Sequence, residues 1–182
     1  MKNKSPVGLI VFLLGVIFLV FLIIQAVIAN YNYERKYLSY WELSDRSSTI
    51  LAKEQYITQF VDAISQDRSN FADYNAVFLK TPQNNFDKNL QAVTTLRDRL
   101  KDIEGMNESD FAYQTAIQQI TAQEQGQAGN LLGVIQGTYY LNSYPFQWNW
   151  IAGIVYLIVT MMILIPIMTL FKRANKNIHK DF

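Results

Sequence analysis

Residues 7–29 constrain this chain more than any other stretch. They run Val-Gly-Leu-Ile-Val-Phe-Leu-Leu-Gly-Val-Ile-Phe-Leu-Val-Phe-Leu-Ile-Ile-Gln-Ala-Val-Ile-Ala, with no charge and one strongly polar side chain, Gln25. As a helix this length rises about 34 Å, enough to cross a hydrocarbon core of about 30 Å. A second apolar stretch, residues 150–171, follows the polar middle of the chain. A secretory signal carries an apolar region of about 7–15 residues. The first run is longer, so it reads as a retained anchor.

Charge orients the two spans. Residues 30–149 hold 10 Lys and Arg against 14 Asp and Glu, a net of −4, while the two ends hold 6 Lys and Arg against Asp181 alone. Lys2 and Lys4 precede the first span; Lys172, Arg173, Lys176 and Lys180 follow the second. Basic flanks mark cytoplasmic ends. The expected topology is two-pass in a plasma or inner membrane, with both termini cytoplasmic and residues 30–149 outside. The segments are then 1–6 (cytoplasmic), 7–29 (span), 30–149 (outer helical bundle), 150–171 (span) and 172–182 (basic tail).

The outer stretch reads as helical. Leu43, Ile50, Ile57, Ile64, Phe71 and Phe78 recur every seven residues, and no proline or glycine interrupts residues 30–80. That interval marks a bundle or coiled-coil seam. Asp67-Arg68-Ser69-Asn70 is the polar punctuation, where Ser69 is a possible N-cap. Thr81 and Pro82 suit the N-cap and first position of a helix. The helix that follows puts Phe86, Leu90, Val93, Leu96, Leu100 and Ile103 on one side, with Gly105 placed to end it. Asn107 or Ser109 then caps another helix, and Asn107-Glu108-Ser109 also matches an N-glycosylation acceptor. Farther on, Gly129, Gly133 and Gly137 are spaced by four. Such a row either lets helices approach closely or breaks the helix.

The outer segment leaves the membrane and returns to it, so its full-height helices must be even in number. The expected fold is all-α: two transmembrane helices flanking an extracytoplasmic antiparallel bundle, built as a four-helix path or as a long hairpin with a side helix. The four-helix path splits the chain at Ser69 and at the glycines.

Aromatics crowd both membrane edges. Tyr31, Tyr33, Tyr37, Tyr40 and Trp41 follow the first span; Tyr139, Tyr140, Tyr144, Phe146, Trp148 and Trp150 precede the second. Rings of this kind favour the headgroup level. The expected membrane-interface set is Tyr31, Tyr33, Tyr37, Tyr144, Trp148 and Trp150, with Lys172 and Arg173 at the cytoplasmic edge. The expected helix-packing set is Leu43, Ile50, Ile57, Ile64, Phe71, Phe78, Gly129, Gly133 and Gly137. Within the first span, Gly8 and Gly15 lie seven apart, on nearly one face.

Catalytic patterns do not appear. The chain has no cysteine, and its one histidine is His179 in the basic tail. A Ser-His-Asp triad in the outer segment is therefore impossible. There is no Gly-rich phosphate loop, no His-Glu-x-x-His and no Cys-x-x-Cys. No cofactor, metal or catalytic residue is expected, and an acidic outer segment argues against nucleic acid. Neither span carries a charge that could build an ion path.

The order of span, helical outer segment and span resembles, in layout alone, the sensor half of bacterial chemoreceptors and histidine kinases, and the polysaccharide co-polymerases. Eleven residues follow the second span, so no attached signalling module is expected. The leading expectation is a non-enzymatic subunit or scaffold of a larger membrane assembly, with membrane lipid and other membrane-protein subunits as partners. A ligand-sensing module signalling to a separate partner is the alternative, with a pocket formed by the polar residues 121–130 and the aromatic cluster. A homo-oligomer or pore comes after it.

Overall fold

The structure is a computed structural model. It describes the backbone of residues 7–104, 106, 111–144, 148 and 150–178, and the side chains of those residues apart from 112, 119, 121–128 and 173–178. Lys2, Lys4, Gly105, Asn107, Glu108, Ser109, Phe146, His179, Lys180, Asp181 and the side chains of Arg173 and Lys176, all singled out above, lie outside the described set.

The described residues are almost wholly helical and form no strand; one isolated antiparallel bridge joins Tyr74 and Asn85. Helix α1 (Val7–Tyr33) passes through a π-helical turn (Glu34–Leu38) into α2 (Ser39–Asp45). Then come α3 (Ile50–Gln66), α4 (Phe86–Glu104), α5 (Phe111–Ser143) and α6 (Trp150–Ile178). Among the described residues two helices are long and apolar enough to cross a membrane: the continuous helix Val7–Asp45 and the stretch Trp150–Lys172.

The chain divides into two units, residues 1–28 with 146–182, and residues 29–145. In the first unit α1 and α6 meet at Gly15. A Cβ there would lie 3.1 Å from Ile163 Cγ1 and from Met162 Cβ, so any larger residue would have to push these side chains back by a few tenths of an ångström. Gly8, on nearly the same face, has open space instead. Pro166 sits inside α6, where the Thr169 hydroxyl donates to the Pro166 carbonyl at 2.7 Å.

In the second unit α3 packs on α2 and α4, and α4 packs on α5. The apolar face of α4 is buried at Phe86, Val93, Leu96, Leu100 and Ile103. It meets Ile57, Phe60, Val61 and Ile64 of α3, and Ile120 and Ile135 of α5, in one core. Removing such side chains from water is the main drive for folding, at about 25 cal/mol per Å² of apolar surface.

Two corrections concern helix continuity. The long helical pattern over 30–80, with Ser69 as its one expected split, is broken twice. The first break falls at Arg46–Thr49, where Thr49 adopts extended backbone and its hydroxyl accepts from Ala52 N at 3.2 Å, capping α3. The second falls after Gln66: a 3-10 turn at Arg68–Asn70 leads into irregular chain, and Ser69 caps no helix. Leu43 to Phe78 therefore do not form one seam. Ile57, Ile64 and Phe71 are buried, Ile50 is half-buried, and Leu43 and Phe78 are 43% and 85% exposed. A seven-residue interval aligns side chains only while the helix continues.

The glycine row, by contrast, does not break its helix. Helix α5 runs through Gly129, Gly133 and Gly137 because Ile135, Thr138, Tyr139 and Tyr140 anchor it in the core. The next start signal is also displaced. Thr81 and Pro82 open a 3-10 turn, and α4 begins at Phe86, where Asn85 Oδ1 accepts from Lys88 N at 3.0 Å.

Candidate interaction surface

Residues 67–85 form a strap with no α-helix or strand, only two short 3-10 turns, and its order comes from specific hydrogen bonds. Arg68 anchors one end. Its guanidinium donates to the Phe71 carbonyl at 2.8 Å, to Asp73 Oδ1 at 2.6 Å and to Asp87 Oδ1 at 3.3 Å, and lies 4.4 Å from the Phe86 ring centre. Planar fork geometry lets one arginine serve all four. Phe71 is the apolar anchor, buried against Tyr37, Phe86 and Tyr139 with ring centres 4.9–5.6 Å apart.

Helix α5 holds the strap from the other side. Ala72 N donates to the Thr138 carbonyl at 2.9 Å, Asn142 Nδ2 to the Ser69 carbonyl at 2.7 Å, and Ser143 Oγ to the Asn70 carbonyl at 3.2 Å. Asparagines close the rest: Asn84 Nδ2 donates to Leu79 O, Asn85 Nδ2 to Asp73 O, and Asn89 Nδ2 to both Gln83 O and Asn85 O. Short amide side chains bond nearby backbone readily and suit such turns.

The strap ends up presenting apolar side chains to water. Phe78 is 85% and Leu79 68% exposed, though the backbone around them is tied down. Beside them opens a groove of about 830 Å³ lined by Asn75, Pro82, Gln83, Asn84, Lys88, Asn89 and the α5 residues Gly129–Leu131, Gly133 and Val134. The glycine row divides here. Gly137 receives the strap, since a Cβ there would lie 3.0 Å from Asn75 Cβ. Gly129 and Gly133 meet nothing within 4 Å and floor the open groove.

The residues expected at the membrane interface also divide. Tyr31, Trp148, Trp150 and Lys172 are exposed and Tyr144 is half-buried. Tyr33 and Tyr37 are corrected: both are fully buried, their ring centres 5.7 Å apart and 5.4–5.7 Å from Tyr139, with Tyr33 also 6.0 Å from Tyr140. They are core residues because α3, the strap and α5 close over the aromatic face of the helix. Tyr37 donates to Asp67 Oδ2 at 2.8 Å, and Tyr140 donates to Asn30 Oδ1 at 2.8 Å. The Tyr33 hydroxyl has no hydrogen-bond partner among the described residues. Burial, with Tyr144 nearby, pushes the Tyr139 hydroxyl up to about 12, and burial raises Tyr140 as well.

Among the residues described, no group of three or more His, Asp or Glu is arranged to hold a metal ion. Sequence reasoning did not find the strap, the groove or Arg68. The run of Asn70, Asn75, Asn84, Asn85 and Asn89 was the available signal. Comparison with protein-family models, curated proteins and solved structures returns no match to this chain.

Proposed function

We propose that this chain is a non-enzymatic, two-pass subunit of a larger membrane assembly. In this reading both termini are cytoplasmic and residues 30–149 form an extracytoplasmic antiparallel helical bundle. The bundle presents the Phe78–Leu79 tip and the adjoining groove to a different membrane protein. One observation carries the reading: two large apolar side chains are held in water by an ordered, hydrogen-bonded strap, beside a groove floored by two glycines. Exposed apolar side chains grouped beside a concavity mark protein–protein interaction sites.

Native mass spectrometry after gentle extraction from the source membrane tests this. The expected result is a heterologous partner at fixed stoichiometry, lost in F78S/L79S while the helical content stays unchanged. A chain that emerges only as monomer or homo-oligomer, or a partner indifferent to F78S/L79S, overturns it. The topology has its own test, since the chain lacks cysteine. K80C should react with a membrane-impermeant maleimide in intact cells or right-side-out vesicles, and K176C only after the membrane is opened.

A ligand-sensing module is the second reading, favoured by the size of the groove and its amide-rich lining. Pockets of about 300–1,000 Å³ accept small molecules. A thermal-shift panel of polar small molecules that leaves the outer unit unmoved would remove it.

A further inference from the structure

The turn where α1 gives way to α2 carries a feature that the docking reading leaves unused. Residues Glu34–Leu38 are π-helical, with Ser39 N donating to the Glu34 carbonyl five residues back. Such turns widen a helix and recur at functional sites. Arg35 and Lys36 stand on this one. By position along the helix Arg35 lies six residues past Ala29, about 9 Å of rise. The headgroup layer is about 5–8 Å thick on each side of the hydrocarbon core. A long basic side chain reaches back over the difference.

A cleft of about 420 Å³ opens at the same place, lined by Asn32, Arg35, Lys36, Tyr40, Gln66 and Asp67 among others. Its charges are two cations and one carboxylate. Asp67 is already engaged, accepting from Tyr37 at 2.8 Å and lying 3.9 Å from Lys36 Nζ. Glu34 and Glu42 lie on Arg35's other side and have partners of their own. Glu34 accepts from Asn30 at 2.6 Å, and Glu42 pairs with Arg46 at 3.4 Å. The Arg35 guanidinium makes no hydrogen bond or ion pair among the described residues. A planar fork of N–H donors on a cleft wall matches a phosphate.

We propose that this cleft binds the phosphate of an anionic phospholipid. Arg35 provides the bidentate contact and Lys36 the second charge, while the Asn32, Tyr40 and Gln66 side chains offer neutral donors around them. The bound headgroup fixes the height of the π-helical turn at the membrane surface.

The test uses the full chain in nanodiscs of phosphatidylcholine with or without phosphatidylglycerol, followed by a mass-spectrometric count of lipid retained on release. Wild type should keep phosphatidylglycerol in preference to phosphatidylcholine. R35Q/K36Q should lose that preference, by about fivefold for each charge removed near an anionic surface. R35K/K36R keeps both charges and should recover part of it, and K101Q on α4 should change nothing. Retention unaltered in R35Q/K36Q overturns the proposal, as does an equal loss in K101Q. In a parallel arm inorganic phosphate is added to lipid-free protein in neutral detergent. A thermal shift there equal to that from phosphatidylglycerol would make the ligand a soluble anion and refute the lipid site.

Discussion

Tyr33→Phe should stabilise this protein, against the usual sign for a change at a fully buried position. The Tyr33 side chain is 1% exposed, and its hydroxyl finds no partner among the described residues. Leaving such a group unsatisfied costs about 1–3 kcal/mol relative to its hydrated state in the unfolded chain. Phenylalanine removes the oxygen and keeps the ring, so the packing with Tyr37, Tyr139 and Tyr140 at 5.4–6.0 Å survives. The expected gain is about 1 kcal/mol or more. Tyr37→Phe, four residues on, is the matched control. Its hydroxyl donates to Asp67 at 2.8 Å, a bond to a charged acceptor worth about 1.5–3 kcal/mol. Because the Asp67 side chain is 40% exposed, water takes up part of the loss, and the net cost should be about 1 kcal/mol. The two variants should therefore move in opposite directions. Urea unfolding of the full chain in mild detergent, followed by tryptophan fluorescence, measures both; Trp41, packed on Phe60 at 5.7 Å, reports on the unit of residues 29–145. A Tyr33→Phe loss of more than about 1 kcal/mol would refute the argument, because it would mean the hydroxyl holds a partner worth more than its burial costs.

Other positions give sharper contrasts than their chemistry suggests. Gly133→Ala places a Cβ in open space and should gain up to about 1 kcal/mol of helix propensity. Gly137→Ala, one turn along, pushes against Asn75 at 3.0 Å and should lose stability in the same urea assay. Arg68→Lys cannot reproduce the three-way donor set or the stacking on Phe86. It should cost about 1–2 kcal/mol and speed amide exchange across residues 71–85. Alkaline pH should unfold the unit of residues 29–145. Tyrosine in the unfolded chain titrates near 10, whereas folded Tyr139 holds its proton to about 12 and Tyr140 is also raised. Their contribution is whole below pH 10 and is lost as pH climbs through the folded value, which a pH series of thermal melts would follow.

Two parts of this architecture could be read from residues alone, and the rest could not, for a physical reason. The apolar runs and the buried face of α4 depend on local periodicity, which survives in any context. The stripe from Leu43 to Phe78 looked equally regular, yet it crosses two breaks. Phe71 fills the core from extended backbone, where helical spacing has no meaning. The triplet Ser47-Ser48-Thr49 held the cap of α3, and the asparagines of the strap held its turns, but each signal was local and weaker than the heptad. Tyr33 and Tyr37 show the opposite error. Aromatics after a span suit the headgroup layer, and only the return of α3, the strap and α5 buries them instead. The split of the glycine row depends on Asn75, more than fifty residues away, and no local pattern encodes that distance.

In the docking role proposed above, the strap is where packing and function diverge. Fixing backbone costs about 1–2 kcal/mol per residue, so an ordered irregular segment needs compensation from burial and hydrogen bonds. Phe71, Arg68 and the asparagines provide it at the ends, close to the core. The middle does the reverse. Burying Phe78 and Leu79 would stabilise by about 1.5–3 kcal/mol each, and a groove with a bare glycine floor lies on the flank of their own segment. A segment shaped for stability alone would fold those side chains into it. Here the Asn84 side chain donates to the Leu79 carbonyl and Asn75 N to the Asn84 carbonyl, so the loop is tied down while both side chains stay exposed. That forgone burial remains available to a second protein. The same arithmetic makes F78S/L79S nearly neutral for folding, since neither side chain is buried to begin with. A loss of partner binding in that variant would therefore report on the interface and not on the bundle.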